Sequence, residues 1–209
     1  MERGHPSSVR VFLQYIARTE RAFSLRTTLQ ILSWLTLFFL VGTTGCISHI
    51  QWAHEAEAIS PPSCVPDHPP IWNDFSRQDR SSPTTAQTAV RFRIAQLHPP
   101  RLEARFDPEQ SWVIPEAVDS WDPYVLETSQ MLLRHEQLHF AISCLLVRQA
   151  NVVLQNGGNL QAMLELVRAT AQRLNRQYDK DTRHGVDLSR QADWEQDVEQ
   201  QLQEVTKLE

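Results

Sequence analysis

The sequence predicts an α+β fold: a small antiparallel sheet followed by three helices, the first of them central and covered on most sides. Two observations carry this. Apolar residues alternate with polar ones in short runs between residues 89 and 114, and from Asp122 onward the spacing becomes helical. The composition is that of a folded globular chain, with 41% hydrophobic and 22% charged residues. Six Gly against twelve Pro exclude a collagen-like or glycine-rich chain, and no repeat period is present.

The elements follow in order. Ile71-Trp72-Asn73-Asp74-Phe75 opens the ordered part with two large aromatics that call for burial, and Arg77 to Gln87 is polar and loop-like. Ala89–Ile94 alternates apolar and basic side chains as a half-buried strand does, and Pro99-Pro100 ends it. Leu102–Phe106 alternates in the same way, and Ser111–Ile114 is a third extended run stopped by Pro115. Asp122-Pro123 then opens a helix, because the Asp carboxylate can accept from free backbone N–H groups and Pro suits the first helical position. Its apolar residues run from Met131 to Leu154 on several faces, up to Gly157-Gly158, which suits a left-handed helix end. Asn159 caps a second helix from Leu160 to about Tyr178, and after an Asp179–Asp187 connection a third runs from about Leu188 to Thr206.

The amino-terminal part reads as an address. Five Arg against two Glu give the first 26 residues a local charge of +3, and no charged residue occurs from Thr27 to Ile50. The apolar run Ile31–Val41, the small residues Gly42-Thr43-Thr44-Gly45 and then Cys46 resemble a bacterial lipoprotein signal, which implies acylation at Cys46. An uncleaved anchor helix with its basic end in the cytoplasm is the rival reading. Both readings place the remainder outside the cytoplasm and attached to a membrane, most simply in the periplasm. The expected organisation is thus a signal or anchor segment over residues 1–46, a proline-rich tether over 47–70, and one domain over 71–209. His49, His54 and His68 lack ligand spacing and read as solvated tether residues. With Cys46 lipidated, Cys64 and Cys144 remain in a compartment that permits disulfides. A bridge between them and an unrelated pair of thiols both stay open. Since the net charge is −5, the chain beyond the anchor carries −8, and an acidic body without a basic stripe excludes nucleic acid as the partner.

One motif carries chemistry. Met131-Leu132-Leu133-Arg134-His135-Glu136-Gln137-Leu138-His139-Phe140 places His-Glu-x-x-His inside the central helix. Residues i and i+4 lie one turn apart on one helix face, so His135 and His139 can aim their imidazoles at one point. Zinc takes two such nitrogens and keeps room for a further ligand and water, and Glu136 stands where a general base is needed. On an apolar helix, two structural His and a Glu with no shared purpose would be costly to bury. A third ligand must come from elsewhere. His184 is the leading candidate, the only His after His139 and next to Gly185, which lets the backbone turn close to a metal. Asp179, Asp181 and Asp187 are its rivals. Tyr178 either donates to the oxyanion of a tetrahedral intermediate or is a half-buried aromatic at a helix end.

Four separated pieces carry a family resemblance: Trp72-Asn73-Asp74-Phe75, Phe106-Asp107-Pro108-Glu109-Gln110-Ser111-Trp112, Leu133 to Phe140, and Tyr178-Asp179-Lys180-Asp181-Thr182-Arg183-His184-Gly185, followed by Gln191 and Trp194. Over residues 71–200 the chain resembles the bacterial predicted secreted zinc-dependent proteases (domain of unknown function 922). The resemblance implies a zincin-like metallopeptidase fold, with His135, His139 and His184 as zinc ligands and Glu136 as base. The expected function is a membrane-anchored zinc metallopeptidase of the cell envelope acting on a peptide or protein. A non-catalytic envelope lipoprotein stabilised by zinc, and a zinc hydrolase acting on peptidoglycan peptides, are the alternatives. Residues near Ser111–Ile114 are expected to offer an edge for an extended peptide.

Overall fold

The computed structural model describes residues 62–78 and 84–209. The expectations for residues 1–46, Cys46 included, and for all but the end of the tether lie outside them.

Among the described residues, six short strands form two separate three-stranded sheets. In the first, β1 (Cys64–Val65), β5 (Arg101–Phe106) and β4 (Val90–Gln96) lie in that spatial order. Strand β5 pairs antiparallel with β4 but parallel with β1. In the second, β6 (Trp112–Val113) lies between β2 (Ser76–Arg77), which is parallel to it, and β3 (Ala86–Gln87), which is antiparallel. The sheets are therefore mixed, which corrects the expected antiparallel sheet. Two-residue strands are too short to show a period, so β1 could not be told from a tether, nor β2 and β3 from a loop.

The parallel addition of β1 is held from the helix side. Cys64 and Cys144 are joined as a disulfide with their Cα atoms 5.6 Å apart, which ties β1 to the central helix. The buried Asn151 of that helix reinforces the tie. Its Oδ1 accepts from the Leu102 backbone N at 2.8 Å, while its Nδ2 donates to Leu102 O at 3.0 Å and to Ser63 Oγ at 3.1 Å. The domain boundary expected at residue 71 accordingly moves back, and Pro61–Glu209 forms one compact unit. His68 is exposed, as expected of it.

Among the described residues, three helices supply most of the core. Helix α1 (Pro123–Gln155) begins as expected, with Asp122 accepting from the Tyr124 backbone N at 2.8 Å. Its 33 residues make it about 50 Å long. By length and composition it could cross a membrane, but 72% of its most apolar stretch is buried inside the protein, as befits a core helix. Helix α2 (Leu160–Thr182) is capped by Asn159, which accepts from the Ala162 backbone N, and α3 (Leu188–Thr206) by Asp187, which accepts from Arg190 N.

The first sheet packs on α1 through alternation. Leu102, Ala104 and Phe106 of β5 are buried, and Phe106 meets Phe75 and Phe140 edge to face at 5.1 and 6.3 Å. Trp72 stacks edge-on against Phe75 and donates from Nε1 to Ser129 Oγ of α1 at 2.9 Å. Phe140 directly follows His139. The aromatic chain thus fixes the rotation of α1 about its own axis, and with it the direction in which the His135 and His139 stripe points.

Candidate metal centre

Helix geometry sets the first half of the site. His135 and His139 lie one turn apart on α1, their rings 4.8 Å apart, and their Nε2 atoms approach to 3.3 Å. The second half comes from α2, which continues four residues beyond its expected end at Tyr178. That extra turn places Asp179 on the helix, and Asp179 Oδ1 lies 3.2 Å from His135 Nε2 and 3.0 Å from His139 Nε2. One turn earlier on α2, Asn175 Oδ1 accepts from His139 Nδ1 at 3.0 Å. Two i, i+4 pairs on facing helices therefore meet, His135 and His139 against Asn175 and Asp179.

These donors suit a metal. A tetrahedral zinc ion with bonds of about 2.0–2.1 Å sets its ligand atoms about 3.3 Å apart. The three separations here, 3.0, 3.2 and 3.3 Å, come close to the edges of such a tetrahedron. Because Asn175 holds the His139 proton on Nδ1, the neutral ring turns the lone pair of Nε2 toward the other two donors. His135 Nδ1 is buried without a hydrogen-bond partner, its ring pressed against Gly185.

The charges respond to this crowding. Burial pushes the Asp179 carboxyl upward, but hydrogen bonds from His135 and His139 outweigh it and hold the group well below the usual carboxylate range. Burial pushes the His139 imidazole down, and the hydrogen bond to Asp179 together with the nearby Glu136 and Asp179 charges carries it above its ordinary value.

Glu136 is buried at the base of an open cleft of about 560 Å³, with its Oε2 atom lacking a hydrogen-bond partner. Residues 84–88, which include β3, line the same cleft, and Thr88 Oγ1 donates to the Glu136 backbone O at 3.2 Å. An unpartnered carboxylate oxygen in a cleft is costly unless a ligand or water completes it.

Comparison with protein-family models, with curated proteins and with solved structures gave no match.

Three expectations change at the site. His184 does not join the convergent group, and Asp179, one of its rivals, takes that place. The His184 side chain is 65% exposed at the rim of the cleft, its Nδ1 3.6 Å from Asp179 Oδ1. The cause is the helix extension: α2 ends in a left-handed turn through Arg183 and His184, with φ of 51° and 55°, so His184 falls beyond the helix face that meets α1. Gly185 does bring the backbone close, since a Cβ added to it would come within 3.1 Å of the His135 ring.

Tyr178 is the second change. It is fully buried, lies stacked at 4.6 Å on His135, and has its hydroxyl 3.5 Å from the His135 backbone O. Burial drives its phenol far above the ordinary value, helped by the nearby Glu195, Glu136 and Asp179 charges. It stacks on the His135 imidazole, with its hydroxyl directed to the backbone of α1. The third change concerns the peptide edge, because β6, within Ser111–Ile114, has neighbours on both sides, whereas β3 is an edge strand and lines the cleft.

Asn175 escaped the sequence reading altogether. Its signal was present: Asn175 and Asp179 form a polar i, i+4 pair beside the apolar stripe of Leu164, Val167, Ala171 and Leu174.

Proposed function

We propose that this domain is a zinc-dependent peptidase of zincin-like fold, holding the metal through His135, His139 and Asp179 and using Glu136 as its general base. The observation that carries the proposal is the convergence of His135 Nε2, His139 Nε2 and Asp179 Oδ1 beside a buried carboxylate with a free oxygen. Zinc, when bound, supplies Lewis acidity that polarises a carbonyl and makes a water acidic enough to attack it near neutral pH.

The protein's own groups do the rest. The edge of β3 holds an extended peptide along the cleft through backbone hydrogen bonds. Glu136 takes the proton of the attacking water at its free Oε2 and passes it to the nitrogen of the departing amine as the C–N bond breaks. Asn175 keeps the His139 proton on Nδ1, and Tyr178 holds the His135 ring by stacking. Three donors leave a coordination position for substrate, which favours catalysis over a closed four-ligand structural site. Location in the cell envelope rests on the sequence of residues 1–46 alone.

Metal analysis paired with digestion tests this. Near-stoichiometric zinc is expected in the wild type, in Glu136→Gln no less than in the parent, and not in His135→Ala. Peptide cleavage is expected only in the parent, with Glu136→Gln lower by at least about 100-fold. Digestion of muropeptides beside a protein-derived peptide library separates the two substrate classes. Zinc retained with no hydrolysis of either substrate would overturn the peptidase and favour the structural role.

A further inference from the structure

A second groove, of about 490 Å³, adjoins the metal-ligand cleft. Thr85, Leu132, His184 and Val186 line both, so the two form one continuous surface. The chemistry changes across that border. On the far side Tyr124, Met131 and Leu188 stand beside Ala117, Thr128 and Ser129, with no Asp, Glu, Lys or Arg among the lining residues. Tyr124, Val186 and Leu188 are 74, 75 and 51% exposed. Large apolar side chains grouped beside a polar cleft mark a contact surface.

The fold builds this groove from two directions. The early turns of α1 bring Tyr124, Met131 and Leu132, on the same helix that bears His135 and Glu136. The link between α2 and α3, starting from the left-handed turn at Arg183–Gly185, brings Val186 and Leu188. Gly185 ties the link to the metal centre by lying against His135.

We propose that this groove is the specificity pocket of the peptidase and accepts one large apolar side chain, of the size of Leu, Met or Phe, from the residue flanking the scissile bond. The inference rests on the peptidase reading above and names its substrate class. Continuity decides the occupant. One residue of extended chain spans about 3.3–3.6 Å, so a peptide bond held beside Glu136 carries a flanking side chain across the border at Leu132 and Val186. An acidic or basic side chain there finds no counter-charge apart from His184 at the rim, while a large apolar one covers Tyr124, Val186 and Leu188.

The test uses the zinc-loaded full chain. A peptide library with the flanking position varied is expected to be cut at Leu, Met and Phe at least about 100-fold faster, in kcat/KM, than at Asp or Lys. Val186→Asp and Leu188→Asp, both at exposed positions, are expected to lower the Leu-over-Asp selectivity about tenfold or more, mainly through KM, with zinc content unchanged. A Glu136→Gln background gives a readout without turnover: the Leu peptide binds more tightly than the Asp peptide, and Val186→Asp removes the difference. Cleavage without apolar preference, or a preference that survives both substitutions, overturns the pocket and leaves the peptidase standing. No cleavage of any peptide overturns both.

Discussion

His139 Nδ1 lies 3.0 Å from Asn175 Oδ1, one helical turn before Asp179 on the facing helix, so a single face of α2 supplies both the carboxylate of the proposed metal group and the amide that orients its neighbour. Removing such an orienting partner typically costs 10–100-fold in metal affinity. Asn175→Ala is expected to weaken zinc binding by about that factor in competition with a chromophoric chelator. Asn175→Asp, which keeps the acceptor, is expected to restore most of it. Nitrogen NMR of the His139 ring in the zinc-loaded protein provides the structural readout, because Nδ1–H loses its hydrogen-bonded shift in the alanine variant only.

The third donor can be decided by the same competition. Asp179→Ala is expected to reduce zinc affinity by at least about 100-fold, while His184→Ala leaves zinc stoichiometry at one per chain. The reverse pattern would restore His184 to the ligand position and remove the geometric basis given for Asp179.

Tyr178 offers a test of burial against catalysis. Its ring fills space against His135, His139 and Trp194, at 4.6, 5.0 and 5.5 Å between ring centres. Tyr178→Ala is therefore expected to destabilise the fold by about 3–5 kcal/mol. Tyr178→Phe keeps the stack and is expected to retain peptidase activity within about threefold. A loss of 100-fold or more in the Phe variant, with normal zinc, would return the hydroxyl to the chemistry.

The metal-free protein is expected to show two pH limbs. His139 has a raised value in the fold, so its contribution is fully present below the ordinary imidazole value and is lost as pH rises through the raised one. Asp179 has a depressed value, so its contribution is present above the ordinary carboxylate value and is lost as pH falls through the depressed one. Urea midpoints of the chelator-treated protein should thus be highest between about pH 4 and 6.5. In His139→Gln the alkaline limb should vanish. In the zinc-loaded protein it should invert, since protons compete with the metal for the same lone pairs.

Much of this was legible before any coordinates. Asp122 and Asn159 each announced a helix start, and each accepts a hydrogen bond from the first turn it precedes. Alternation over residues 89–106 placed β4 and β5 to within two residues. Local rules are enough for such features, because caps and side-chain periods depend on residues a few positions apart. The His135 and His139 pair was legible for the same reason.

What the chain alone determined, then, is that His135 and His139 share one helix face. Tertiary structure decided that α2 runs on to carry Asn175 and Asp179 on one face, that this face meets the histidine pair, that Asp179 rather than His184 completes the group, that Tyr178 turns its hydroxyl inward, and that Cys64 is bonded to Cys144. The physical reason is one of range. A helix fixes the direction of each side chain relative to its own axis, but the rotation and separation of two axes come from packing, here from the Phe75, Phe106 and Phe140 contacts and the Asn151 clamp, which no local pattern encodes.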